Sequence, residues 1–440
     1  MIKRSVTLKP LVLLIIALCT LNACSPTIPE ETSPEVLYTM NNALRTALVA
    51  GTFSPPAAAR AYAYSNLAAY TCSTLGKENL SLFSGNVSCN LEATEVDLKR
   101  YLPELAIAKS FTMISTEIVW HDYLLEDALD SIVNHYADLY SENQIKYSLE
   151  VGEKIGNQVL SCTSQDGYNE TRQMPLYAFI DEPWAWQATP PKFAESIEPW
   201  WHTLTPLVLD SPSIFRAPAP PEFSNETNSI FYEEAKEVYL ASAQLMGNDT
   251  AIANFWDCNP YLTEKRGHVT YTVRQISPAS HWMGIAEIAC KQEGYDLEQS
   301  TEVFAVLGIT LSEAFISCWE TKYHYNLIRP ITYINRYMDE SWTPLLETPS
   351  FPEYTSGHSV ISSAATVVLE HLFGENYTYT DDVEVPYGKA PRTFNSFKQA
   401  SAEAAISRLY GGIHYRSAID LGIVQGQEVG NYIIEKMYLP

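Results

Sequence analysis

The sequence predicts an all-α protein, built as one helical bundle or as two packed together. Three observations carry this. Long segments such as Leu98 to Ile118 and Tyr123 to Leu160 space their apolar residues at helical rather than alternating intervals. Strand signals are few, and Pro330 and Gly374 stand where helices need boundaries. The 440 residues suffice for one large or two smaller cores, and no short-period repeat organises them.

Taken in order, residues 1–23 read as an export signal. Lys3 and Arg4 precede the apolar run Leu11 to Leu18, and Leu21-Asn22-Ala23-Cys24 follows. That tetrapeptide is similar to a lipobox, which implies cleavage before Cys24, a lipid on its thiol, and a place in the bacterial cell envelope on the periplasmic side. A plain secretory signal is the alternative. The run is shorter than the ~20 residues that span a bilayer, and no later segment reads as long and apolar enough. Residues 24–34 form a polar, acidic tether and 35–190 an N-terminal helical region. A Pro-rich connection covers 191–228, inside an aromatic interval running from Pro183 to Phe223. Residues 229–440 form a C-terminal helical bundle. Its helices are expected over Ile230 to Trp256, His281 to Glu293, Thr301 to Tyr323, Ser359 to Phe373, Phe397 to Tyr410 and Leu421 to Met437.

Charge and cysteine content narrow the chemistry. A formal charge of −24 argues against a nucleic-acid partner, because such binding relies on Lys and Arg. Any anion site must therefore be local. Setting aside Cys19 in the signal and Cys24, six cysteines remain: Cys72, Cys89, Cys162, Cys258, Cys290 and Cys318. In an oxidising compartment Cys72 and Cys89, close in sequence, are the first candidate pair. No Cys-x-x-Cys supports a zinc ribbon or a thioredoxin-like centre.

Three segments bring cations together. Lys322 and Arg329 are seven residues apart, on one face if the helix persists, and Pro330 follows to end it. Ser356 and Gly357 begin a helix, where free N–H groups and the positive dipole end favour an anion. Ser356 also reads simply as a cap. Arg408 lies on the last turn before Gly411-Gly412, and His414 follows on a tight loop. Together they set three cations and the imidazoles of His358 and His414 around a small oxyanion. Each element alone also fits a solvated or structural role.

Together these segments resemble the vanadium-dependent haloperoxidase and type 2 phosphatidic acid phosphatase superfamily. The pattern is Lys, six residues, Arg-Pro; Pro-Ser-Gly-His; and Ser-Arg, five residues, His. Here Lys322 with Arg329-Pro330, Thr355-Ser356-Gly357-His358, and Ser407-Arg408 with His414 match it in order and spacing. Trp256-Asp257-Cys258-Asn259-Pro260 and Ser280-His281-Trp282 are similar to bacterial haloperoxidases, and within the family bacterial iodoperoxidases look nearest. The resemblance implies vanadate as cofactor, with His414 bonded to vanadium. Lys322, Arg329, Ser356, Arg408 and the Gly357 N–H would hold its oxygens. His358 would be the acid–base group, and Lys322 would polarise peroxide.

Hydrogen peroxide and a halide, iodide before bromide, are the implied substrates. Trp319 and Phe351 are candidates for a dry halide pocket; Tyr323 and His324 are candidates around it. Two positions depart from the pattern. Thr355 replaces the usual Pro, and Ala418 replaces an Asp that many members carry after the ligand His, leaving Asp420, another carboxylate or a carbonyl to fix the ring. The alternatives are a phosphomonoesterase with His414 as nucleophile, or a non-catalytic envelope lipoprotein that captures the anion. A Gly-x-Ser-x-Gly elbow, a His-Glu-x-x-His zinc helix and a phosphate loop are all missing from the sequence. The resemblance leaves a monomer or an assembly open.

Overall fold

A computed structural model describes residues 32–77, 83 and 85–438. The export signal, Cys24 and all but the end of the tether lie outside them. Helices α1 (Glu35–Ala50) and α2 (Pro55–Ser73) begin the fold. The segment from Leu98 narrows to α3 (Pro103–Ile118), because Pro103 starts a helix without losing a hydrogen bond. Tyr123 to Leu160 divides into α4 (Tyr123–Ala137) and α5 (Glu142–Thr163), where Ser141 and Gln144 cap each other reciprocally and restart the helix. Ile230 to Trp256 likewise divides into α6 (Ile230–Ala243) and α7 (Asp249–Phe255), with Gly247 at φ 57° between them.

A hairpin, β1 (Thr263–Arg266) and β2 (Val269–Thr272), precedes α8 (Pro278–Glu293) and α9 (Leu297–Tyr325). Then come α10 (Pro330–Tyr337) and α11 (Gly357–Phe373). A second antiparallel hairpin follows, β3 (Tyr379–Asp381) with β4 (Arg392–Phe394) and Thr380 opposite Thr393. Helices α12 (Phe397–Tyr410) and α13 (Arg416–Tyr438) complete the chain.

Helix α9 is the axis. By length and composition it could cross a membrane, contrary to the expectation that no later segment could. Yet 94% of its most apolar window is buried in the protein, so its all-round apolarity belongs to a core helix. It packs most extensively against the Ala-rich α2. A Cβ at Gly308 would sit 3.1 Å from the Tyr62 carbonyl, so glycine permits this close approach. Gly426 does the same between α13 and α11, where a Cβ would meet the Val360 carbonyl at 2.1 Å. One core cluster runs from Val36 to Met437.

The Pro-rich interval is an ordered strap across α9. The buried Glu313 carboxylate accepts from the backbone N–H of Leu207, Val208 and Leu209 at 2.8, 3.2 and 2.8 Å. Burial pushes this carboxyl up to about 7, against the pull of those three donors. Trp186 and Trp201 of the strap are buried.

The disulfide differs from the expected pair. Cys89 joins Cys162 on α5, with Cα atoms 5.4 Å apart. Cys72 instead faces inward from α2 as a buried free thiol, its sulfur 3.4 Å from Ser110 Oγ. Nearness in sequence misled because α2 turns Cys72 into the core.

Candidate active site

The site forms where α9, α11 and α12 end or begin against the strap. Helix α9 does not persist to Arg329. Asn326 adopts a left-handed conformation, φ 50° and ψ 40°, and closes it after Tyr325. Arg329 is extended, as the residue before proline prefers, and Pro330 starts α10 rather than ending α9. Lys322 and Arg329 therefore meet through a turn, not along one helix face.

Both are fully buried. Lys322 Nζ donates to the carbonyls of Pro352 and Glu353, each at 3.0 Å, and to that of Thr355. Arg329 Nε donates to Phe351 O at 2.9 Å, and its Nη1 to Ile413 O at 2.9 Å. Its Nη2 has no hydrogen-bond partner among the described residues. On α12, Arg408 Nη1 donates to Trp256 O at 2.7 Å while its Nε is likewise unpartnered.

This concentration of buried cations shows in their acidities. Burial draws Lys322 down to about 7 and Arg329 down to about 10, and Arg408 moves the same way. Guanidinium groups stay protonated, so the cost persists as a demand for an anion.

His414 stands among them on the loop before α13. Its Nδ1 lies 2.7 Å from Glu353 Oε1, which also accepts from Tyr415 N at 2.9 Å. Arg329 Nη1 approaches His414 Nε2 at 3.3 Å. A donor at Nε2 and an acceptor at Nδ1 select the tautomer protonated on Nδ1, leaving the Nε2 lone pair available. Burial, then Arg329 and Lys322, holds His414 well below the usual histidine range. Glu353 was not foreseen from the sequence; it occupies the orienting role left open by Ala418. Burial pushes its carboxyl up to about 8, against Arg329 and Lys322. Asp420 is exposed on α13 and does not reach the ring.

Ser356 caps α11, accepting from Ser359 N at 3.4 Å. Gly357 opens that helix, and a Cβ there would meet only Trp319 Cζ3, at 4.0 Å. His358 is half-buried with its Nε2 unpartnered, and burial beside Arg408 holds it neutral. Thr355 keeps the turn ordered by donating from Oγ1 to Gln425 Oε1 at 2.6 Å.

A cavity of about 40 Å³ lies at this junction. Gly357, His358, Arg408 and His414 line it together with Trp319, Phe351, Phe315 and Tyr261, whereas Lys322, Arg329 and Ser356 are not part of its lining. The Phe351 ring centroid is 5.0 Å from Trp319, from Lys322 Nζ and from Arg329 Cζ. Tyr323 is not part of the lining; its hydroxyl donates to the carbonyl of Ile197, a strap residue that is, at 2.8 Å. His324 is exposed and packs on Tyr325. Asn259, from the segment singled out in the sequence, lines the cavity, and so does Tyr261, which lies just beyond that segment and was not foreseen.

Residues 302–438 match the model of the VCPO second helical-bundle domain. No curated protein matches the chain. A bacterial vanadium-dependent iodoperoxidase of known crystal structure superposes with a TM-score of 0.87 at 38% identity, over 93% of this chain and 98% of that one. A bacterial vanadium-dependent chloroperoxidase shares the fold at 15% identity. Its holo form gives a TM-score of 0.70 over 93% of this chain and 98% of that chain, and its apo form 0.64 over 87% and 93%. With more than a third of its residues identical to the iodoperoxidase across nearly the full length of both, the chain belongs to the vanadium-dependent haloperoxidase family.

Proposed function

We propose that this chain oxidises iodide with hydrogen peroxide, using vanadate held between His414 and the buried cations Lys322, Arg329 and Arg408. The observation that carries the reading is a set of buried nitrogens without hydrogen-bond partners among the described residues, Arg329 Nη2, Arg408 Nε and His358 Nε2, beside His414 Nε2, which Arg329 Nη1 approaches at 3.3 Å. The open space at Gly357 adds room for a tetrahedral oxyanion against a helix N-terminus. In this reading His414 Nε2 bonds to vanadium, and Lys322, Arg329, Ser356, Gly357 N–H and Arg408 hold the oxygens. When bound, vanadate supplies a Lewis-acid centre that activates peroxide toward the halide.

The chain's own residues do the rest. Lys322 and the two arginines withdraw negative charge from the reacting oxygens. His358 Nε2, held neutral, takes or returns a proton. Trp319, Phe351 and Phe315 give the cavity apolar lining, which suits a large, weakly hydrated halide. Iodide is the easiest halide to oxidise, and the relative at 38% identity is an iodoperoxidase.

The test reconstitutes the purified protein with orthovanadate and compares peroxide-dependent oxidation of iodide, bromide and chloride, with a phosphomonoester assay on vanadate-free protein. Iodide oxidation that needs vanadate and is lost in His414→Ala supports the reading. Phosphate release blocked by vanadate, without halide oxidation, would assign a phosphatase instead.

The lipobox-like segment before Cys24 supports a lipid-anchored protein on the periplasmic side of a bacterial envelope. The Cys89–Cys162 disulfide suits such an oxidising compartment. Mass spectrometry of the protein from membranes should find acyl groups on Cys24 and none in Cys24→Ala.

A further inference from the structure

Two motifs that the oxyanion site does not absorb meet behind its wall. Cys258, from the Trp256 to Pro260 segment, and His281, on α8, converge with Glu384, which follows β3. Cys258 Sγ lies 3.8 Å from His281 Nδ1 and 3.7 Å from Glu384 Oε1, and His281 Nδ1 lies 3.7 Å from that same oxygen. All three residues are buried.

The triangle is nearly equilateral. Its nitrogen–oxygen edge is too long for a hydrogen bond. Ligand bonds of about 2.0 to 2.3 Å in a tetrahedron give edges of roughly 3.3 to 3.6 Å, so a slight contraction would seat an ion. Asp381 Oδ2 lies 2.7 Å from His281 Nε2. A carboxylate behind the ring is the usual support of a metal-binding histidine, fixing the proton on the outer nitrogen and turning the other lone pair inward. Glu384 Oε2 is buried without a partner. One cation already approaches: Lys389 Nζ is 3.3 Å from Glu384 Oε1, while also donating to Phe255 O and Asp257 O.

We propose that Cys258, His281 and Glu384 bind one divalent transition-metal ion of the zinc class, at a site that shares Cys258 with the wall of the vanadate cavity and none of the vanadate-binding residues. Sulfur, imidazole and carboxylate together suit a borderline ion better than calcium or magnesium. The ion would tie three chain segments into the cavity wall. Cys258 lines that cavity, and the nearby Trp256 carbonyl accepts from Arg408.

The test uses the untagged protein, stripped with a chelator and dialysed against zinc, with cobalt(II) as the optical probe. The expected result is one ion per chain, a thiolate-to-cobalt charge-transfer band and a higher Tm. Cys258→Ser should lose the band, Glu384→Gln should weaken binding at least tenfold, and Lys389→Met should tighten it. Cys290→Ser, at a buried thiol outside the cluster, should keep the band, as should His414→Ala, which separates this site from vanadate binding. No ion taken up by the wild type from micromolar zinc, or a band that survives Cys258→Ser, overturns the proposal. The wild-type titration decides on its own if a variant fails to fold.

Discussion

At the residue scale, the oxyanion site depends on proton positions that burial alone would leave wrong. Glu353 holds the Nδ1 proton of His414 and so presents Nε2 to the cavity. Glu353→Gln keeps the shape but weakens that acceptor. It should lower vanadate affinity by roughly 10- to 100-fold, as read from iodide oxidation against added vanadate, with little change in Tm. An unchanged affinity would remove Glu353 from this role. Lys322 supplies a pH prediction. Its folded pKa of about 7 lies below the ordinary 10.5, so without vanadate it carries its proton below about pH 7 and loses it above. Vanadate binds the charged form and raises that pKa. The Lys322 contribution to affinity is therefore complete below about pH 7 and falls by up to ~tenfold per pH unit above it. In Lys322→Gln that slope should vanish, leaving only the slope of vanadate's own titration. Lys322, Arg329, Ser356, Gly357, His358, Arg408 and His414 could be named because their order and spacing resemble the family's three-part pattern; each element alone also fitted a structural role. Glu353 could not, since its partner lies 61 residues away.

At the element scale, helix ends do the positioning, and they were only partly legible. Periodicity located α8, α9, α11, α12 and α13 to within about five residues at each end, missed the short α10, and ran α4 into α5 and α6 into α7, because apolar spacing continues across a short capped break. It also carried α9 toward Arg329, where the left-handed Asn326 intervenes. The N-terminus of α11 offers the cleanest test of an element. Gly357 there faces open space, and no positive φ requires glycine. Gly357→Ala should fold with a Tm within a few degrees of wild type, since a helix interior gains from alanine. It should nevertheless lose at least tenfold in vanadate affinity, because its methyl group enters the space the oxyanion takes. A Tm collapse with unchanged affinity would mean that the space serves packing. Ser356→Ala should cost about 1 kcal/mol as a lost cap in urea unfolding. It should also alter the ratio of iodide to bromide rates, and an unchanged ratio would leave Ser356 as a cap alone.

At the scale of the whole molecule, the site sits at a junction between distant parts of the chain, and their long-range ties left no local trace in the sequence. Glu313 gathers the strap across α9, and Cys89–Cys162 ties the segment before α3 to α5. Neither tie follows from spacing: a carboxylate in an apolar helix reads as an interruption, and six cysteines allow many pairings. The disulfide closes a loop with a sequence separation of 73. Chain-entropy reasoning then assigns it about 4 kcal/mol, through the unfolded state. Cys89→Ser with Cys162→Ser should lower the urea-derived unfolding free energy by up to that amount. Reducing the wild type should reproduce the loss, and adding reductant to the double variant should change nothing further. Cys72→Ser should retain the reductant effect, because its thiol is free beside Ser110. Iodide oxidation at low temperature should survive in the double variant, since neither half-cystine lines the cavity. If stability instead fell only in Cys72→Ser, with the reductant effect abolished there, Cys72 would be the true partner and α2 would have to turn that sulfur outward.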